Sequence, residues 1–294
     1  MMVKDGDFDL LLHDDRELEK LIGGGIVERT TIHKWPLSHV QRLKLADGRK
    51  FIYKAQAGPT VEGEFYSKAR SPLLVPARIL HDAAGGYLCL LLDYVDAPLL
   101  KELNLSEEDT LAAAHEITGQ IAAIKVTLSP VLDLRGPAKW EAFAGETIAM
   151  LDGLVKDGRF KATAETMVRR IESLARSDLV RAAIADRPAF LHGDLNGGNV
   201  FKCPDGYRVI DWTRPRWGPS ELDCVEMMMK GGVNPLRHFG RGLVMVSVFL
   251  KINWAAQCQL KWFREGNYDE WVAKSGRLLE ACAQGQWDPL TWRC

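Results

Sequence analysis

Between Phe190 and Trp212 the chain reads FLHGDLNGGNVFKCPDGYRVIDW, and three of its polar side chains are of kinds, and at intervals, that suit a reaction centre. They are Asp194, Asn199 five residues later, and Asp211 twelve residues after that. One carboxylate and one amide oxygen suit Mg2+, a hard cation that prefers oxygen ligands and completes its shell with water and phosphates. The other carboxylate can then accept a proton from a hydroxyl. That division of labour is what phosphoryl transfer requires: a positioned nucleophile, and a metal that neutralises developing charge. A blander account suits each residue singly, with Asp194 capping a turn, Asn199 forming an Asx-turn and Asp211 opening a loop. It does not suit the three together.

The elements around them fit the chemistry. NVFKC and YRVIDW are short apolar runs on either side of Pro204-Asp205-Gly206, which predicts a hairpin. A hairpin brings its two open ends together, so Asp194, Asn199 and Asp211 are expected to converge. The first third of the chain reads mostly as strands. GIVERTTIHKW, SHVQRLKL and RKFIYKA are three of them, the last two joined by Ala46-Asp47-Gly48. TVEGEFYSKAR then reads as a helix, and ARILHDAAGGYLCLLLDYV as a second hairpin turning at Gly85-Gly86. Helical patterns dominate afterwards, over LAAAHEITGQIAAIKVTL and roughly 137–156, 161–185, 220–230, 235–264 and 268–283. The composition shift near Val95–Pro98 places a β-rich lobe at 1–95 and a helical lobe at 96–294.

HGDLNGGN followed by VIDW resembles the aminoglycoside phosphotransferase and choline kinase-like superfamily of small-molecule kinases, whose pattern is H-G-D-x-x-x-x-N and then I-D-W or I-D-F. The resemblance implies an α+β, bilobal, protein-kinase-like fold: a small antiparallel-sheet lobe with one helix, and a larger, mainly helical lobe. It implies ATP and Mg2+ as cofactors and a small-molecule hydroxyl as acceptor. Asp194 would be the catalytic base, His192 would brace its loop, and Asn199 and Asp211 would hold Mg2+. A kinase also needs a cation for the α- and β-phosphates, and KFIYKA supplies Lys54 inside an apolar strand. A half-buried ammonium demands a carboxylate. The next helix offers Glu62 and Glu64, and the family's E-x-x-F-Y form favours Glu62.

Other positions are expected from their place in this scheme. No G-x-G-x-x-G is present, and Gly23-Gly24-Gly25 precedes the first strand, so Ser38 in HKWPLSHV is the candidate for the phosphate-covering turn. LLLDYVDAPL is the expected linker, with the backbone of Asp93, Tyr94 and Val95 facing adenine. Asn196 and Gly197 replace a more usual His and Pro, and Thr213, Arg214 and Arg216 also depart from the pattern. The two arginines are read first as solvated loop residues, with contact to phosphate or an acidic substrate as the other use.

From Gly231 onward there are eight Lys/Arg and five Asp/Glu, which disfavours a polycationic acceptor. Trp254, Trp262, Trp271, Trp287 and Trp292 are read first as helix-packing core, with stacking on a sugar or caging of a quaternary ammonium as the other use.

Composition narrows the field further. A formal net charge of −1 over 294 residues gives no electrostatic case for nucleic acid or an anionic membrane. GLVMVSVFL is half a membrane span and ends at Lys251. Six scattered cysteines without a C-x-x-C pair fit free thiols in a reducing compartment, so a cytoplasmic setting is expected. The expected activity is ATP-dependent transfer to a hydroxyl of a sugar, amino alcohol or antibiotic. The alternative is a pseudokinase-like module that binds nucleotide without turnover.

Overall fold

Alternation along residues 50–57 sets the architecture of the first part of the chain. Tyr53 and Ala55 face one side of the sheet, and Ile52, Lys54 and Gln56 the other, because successive strand side chains point to opposite faces. The computed structural model describes residues 2–58, 60–83, 86–128, 132–263 and 268–288.

In chain order these residues form β1 (Met2–Lys4), β2 (Leu11–His13), α1 (Asp15–Ile22), β3 (Ile26–Trp35), β4 (Ser38–Leu45) and β5 (Lys50–Ala57). Next come α2 (Glu62–Lys68), β6 (Ala77–Asp82), β7 (Tyr87–Asp93), α3 (Glu107–Ala122) and β8 (Leu132–Asp133). The helices α4 (Pro137–Lys156), α5 (Glu165–Ala175) and α6 (Asp178–Ala185) lead to β9 (Pro188–Leu191). Then follow β10 (Val200–Cys203), β11 (Gly206–Val209), β12 (Arg216–Pro219), α7 (Leu222–Lys230), α8 (Arg241–Lys261) and α9 (Tyr268–Ala283).

Two compact units result. The first comprises Met1–Leu99, Ile124–Val131 and Asn199–Arg214; the second comprises Leu100–Ala123, Leu132–Gly198 and Pro215–Cys294. A single cut near residue 95 therefore differs from the observed division, since two later segments return to the first unit. Backbone hydrogen bonds explain the return of 199–214: Val209 N–H donates to the Leu73 carbonyl at 2.7 Å, and Lys202 N–H to that of Pro98 at 2.9 Å.

The first unit is built on an antiparallel sheet in the order β3-β4-β5-β7-β6. β5 is central, with Lys54 opposite Val40 of β4 and Leu90 of β7. One face packs Leu43, Leu45, Tyr53, Ala55 and Leu91 against Leu18 and Ile22 of α1. The other gathers Leu88, Leu90 and Leu92 with Val75, Ile52 and Ile210. β1, β2 and α1 have no counterpart in the sequence reading, because the strands are only three residues each and α1 is short and mostly charged. Asp14 caps α1 by accepting from Glu17 N–H, and Gly23 ends it at φ 75°. Gly23-Gly24-Gly25 thus begins as a helix terminator, in the left-handed conformation glycine adopts most readily. Of the expected turn at Gly85-Gly86, Gly85 lies outside the described residues.

The second unit is mainly helical, with a small sheet in the order β8-β12-β9. The expected helix over 161–185 is two helices, parted at Arg176-Ser177. That over 235–264 is a short 3-10 turn at Pro235–Arg237 followed by α8. α8 is apolar all round because it is the core helix, packed by α4, α6, α7 and α9. Trp254 and Trp262 pack with ring centroids 5.2 Å apart, and Trp271 meets Tyr268 edge-on at 6.5 Å. Trp292 lies outside the described residues.

Candidate functional site

Lys54 is held from two sides within the first unit. Its ammonium donates to Glu62 Oε2 at 2.7 Å and to Asp211 Oδ1 at 2.8 Å. Glu64 instead pairs with Lys68 at 2.6 Å on the surface. Burial alone would lower the Lys54 pKa, but the Asp211 and Glu62 carboxylates more than offset it and hold it above the ordinary lysine value. Glu62 is a buried hub. Its Oε2 also accepts from Gln56 Nε2 at 2.7 Å, and its Oε1 accepts from the Trp212 backbone N–H at 3.1 Å. The Trp212 indole donates to the Val209 carbonyl at 3.0 Å, and its ring stacks on Phe65 with centroids 4.3 Å apart. Gln56 and Trp212 are functional supports that the sequence reading missed. The signals were available, as Gln56 shares a strand face with Lys54 and Trp212 adjoins Asp211.

β10 and β11 pair in register, Val200 with Val209, and Ile210 N–H donates to the Asn199 carbonyl at 3.0 Å. The hairpin therefore brings Asn199 and Ile210 together, one residue short of Asp211. Asp211 itself has φ 68°, a left-handed conformation that Asp and Asn adopt more readily than most residues. Of the two acids on Lys54, Glu62 is 1% exposed and Asp211 39%. The donor set fits Mg2+: a carboxylate open to solvent and an amide oxygen on the same hairpin, for an ion that takes its remaining ligands from water and phosphate. Among the described residues no group of three or more His, Cys, Asp or Glu could hold a metal, and Mg2+ does not need one.

Ser38 opens β4 directly after the Pro36-Leu37 turn and is 8% exposed. Its hydroxyl accepts from the Trp35 indole at 2.8 Å. Asp93 ends β7 and its N–H donates to the Pro76 carbonyl at 3.0 Å. Tyr94 has Lys50 Nζ above its ring at 5.1 Å, and Val95 packs with the Leu88–Leu92 cluster.

The second unit holds His192 and Asp194. His192 is fully buried, and its Nδ1 accepts from the Asp194 N–H at 3.2 Å. Buried Asp223, one residue into α7, accepts from His192 N–H at 2.6 Å and Gly193 N–H at 3.1 Å. Burial pushes the Asp223 carboxyl up, against the opposing pull of Arg216. Asn196 closes the loop on itself: its Nδ2 donates to the Asp194 carbonyl at 2.9 Å, and its Oδ1 accepts from Gly198 N–H at 2.8 Å. Gly197 is required by close approach, since a Cβ there would lie 2.9 Å from Lys101 N.

Arg216 corrects an expectation. It is 6% exposed rather than solvated, because β12 pairs on both sides and the guanidinium finds Glu226 at 2.6 Å and Asp223 at 3.9 Å. Arg214 is half-buried in the first unit. The Asp194 side chain is also not left open, as Lys230 Nζ donates to its Oδ1 at 2.5 Å.

A strand lysine locked to a helix glutamate, a hairpin bearing Asn and Asp, and an anchored His-Gly-Asp loop define a kinase-like phosphotransferase. The chain matches the phosphotransferase enzyme family over residues 62–244, and it belongs to that family. No curated protein sequence matches it. Among solved structures it is similar to a thermostable mutant of aminoglycoside phosphotransferase APH(4)-Ia in a ternary complex with AMP-PNP and hygromycin B. There the TM-score is 0.63 and the identity 15%, with 92% of this chain and 97% of that one covered. A choline/ethanolamine kinase family protein from Mesorhizobium loti gives 0.59 and 14%, covering 92% and 94%. A putative fructosamine-3-kinase from Thermobifida fusca gives 0.53 and 18%, covering 92% and 98%. These likenesses give the fold, α+β and protein-kinase-like, as the motifs implied.

Proposed function

We propose that this phosphotransferase moves the γ-phosphoryl group of ATP to a hydroxyl of a small molecule. The observation that most supports this is Lys54, buried between Glu62 and Asp211 at 2.7 and 2.8 Å. Such an ammonium is fixed in place for a polyanion, and in this reading it meets the α- and β-phosphates. Ser38 lies at the phosphate-covering turn, and the backbone of Asp93–Val95 faces adenine. Asn199 and Asp211 would hold Mg2+, which when bound neutralises charge on the phosphate oxygens.

Asp194 acts as the base, with its loop braced by His192 and Asp223. The acceptor O–H proton passes to the Asp194 carboxylate as the acceptor oxygen bonds to the γ-phosphorus. The bond from that phosphorus to the β,γ-bridging oxygen breaks, and ADP leaves with the electron pair. The products are a phosphate monoester and ADP. The five described cysteines form no disulfide, which supports a cytoplasmic setting.

The test is purified protein with ATP, Mg2+ and a library of sugars, amino alcohols and antibiotics, read by ADP release and by mass spectrometry of the product. A phosphorylated product that disappears with Asp194→Asn is expected. Nucleotide-dependent thermal stabilisation with no product from any acceptor would instead mark a binding module.

A further inference from the structure

α7 carries two groups that act on one loop. Asp223 in its first turn holds the backbone of His192 and Gly193, and Lys230 at its end reaches Asp194 Oδ1 at 2.5 Å. Other cations lie close by within the second unit. Arg216 and Lys251 are within electrostatic reach of Asp194, and a Cβ on Gly198 would stand 3.7 Å from Lys101 Nζ. Arg216 is buried and committed to Glu226 and Asp223. Lys230 is different: its side chain is 28% exposed, beside an aspartate that is 26% exposed.

We propose that Lys230 is a specificity-determining residue, selecting an acceptor that carries an anionic group, carboxylate or phosphate, near the hydroxyl to be phosphorylated. The inference rests on the phosphotransferase reading with Asp194 as base. A bare carboxylate base repels an anionic acceptor and attracts an amine. A lysine in contact with it offsets that charge and presents an ammonium of its own, which attracts an anion and opposes the ammonium of an amino alcohol. An ammonium has three N–H donors, so contact with Asp194 Oδ1 leaves it able to bridge to an acceptor anion. As a compact charge on a flexible stem, it does so without the fixed fork geometry of arginine.

The test uses two series that differ in charge on one carbon skeleton: glycerate, glycerol and serinol, and gluconate, glucitol and glucamine. Each is assayed with ATP and Mg2+ by ADP release and product mass. Wild type is expected to favour the acid over the amine by about 10-fold or more in kcat/KM, the scale of one charge contact. K230A should raise KM for the acid about 10-fold, with a much smaller change for the neutral member. K230E should reverse the order of acid and amine, and K230R should restore the acid preference. Because Lys230 and Asp194 are both partly exposed, none of these variants leaves a buried charge, and each is expected to fold.

Preference for the amine by wild type, or an acid preference that survives K230E, overturns the inference. It leaves the phosphotransferase reading intact if Asp194→Asn abolishes that transfer. A cationic compound emerging from the wider library as the preferred acceptor has the same consequence. ATP consumption without a phosphorylated product from any compound overturns the phosphotransferase reading, and the inference falls with it.

Discussion

Two lysine–carboxylate pairs, one in each unit, have nearly the same contact distance and opposite surroundings. Lys54 and Glu62 meet at 2.7 Å with 9% and 1% of their side chains exposed. Lys230 and Asp194 meet at 2.5 Å with 28% and 26% exposed. The first pair is enclosed by Gln56, Trp212 and Asp211, which satisfy the glutamate and the ammonium between them. Removing Lys54 strands the Glu62 charge away from water. The second pair can exchange its contact for water or for a ligand at little cost. Burial, not distance, separates a fixture from an adjustable contact.

Four substitutions test that contrast, from the largest effect to the smallest. Lys54→Ala should cost about 3–5 kcal/mol in urea unfolding, because Glu62 and Asp211 are left as neighbouring uncompensated carboxylates. The Lys54 pKa is raised in the folded state, so its contribution is complete below about pH 10 and lost only as pH rises through the raised value. The stability gap between wild type and Lys54→Ala should therefore stay flat from about pH 7 to 9. A gap that shrinks steadily across that range would break the argument.

Asp194→Asn should lower turnover by about 10²–10⁴, the usual loss for a general base. Its stability should change by less than about 1 kcal/mol, as for other exposed pairs. Unfolding as severe as that of Lys54→Ala would erase the contrast. Trp212→Phe keeps a ring against Phe65 and loses the indole hydrogen bond to Val209, for about 2 kcal/mol by thermal unfolding. Lys230→Ala should move unfolding by less than about 1 kcal/mol while changing acceptor KM, a split that calorimetry and kinetics together would detect.

What the sequence disclosed follows the same division. Lys54 is legible because an ammonium in an apolar strand calls for a carboxylate, and the next helix carries two. The hairpin around Pro204-Asp205-Gly206 is legible from its turn residues, and α4 from its period. Lys230 is not, since it lies 36 residues from Asp194 on a helix whose pattern says nothing about that loop. Arg216 misleads because an arginine between prolines looks like surface loop, whereas pairing of β12 on both sides buries it. β1 and β2, three residues each, and α1, eight, are too short for periodicity to reveal. The break at Arg176-Ser177 falls inside what reads as one helical pattern, and Ser177 makes no side-chain cap there, its hydroxyl donating back to the Leu174 carbonyl at 2.7 Å.

The left-handed backbone of Asp211 restricts which replacements can be interpreted. At φ 68° an alanine would add about 1 kcal/mol of backbone strain while deleting the carboxylate, so a dead Asp211→Ala enzyme could not be assigned to either cause. Asparagine tolerates the conformation and keeps one oxygen without the charge, and glycine tolerates it with no oxygen at all. Read side by side, Asp211→Asn and Asp211→Gly divide the position into ligand, charge and chain direction.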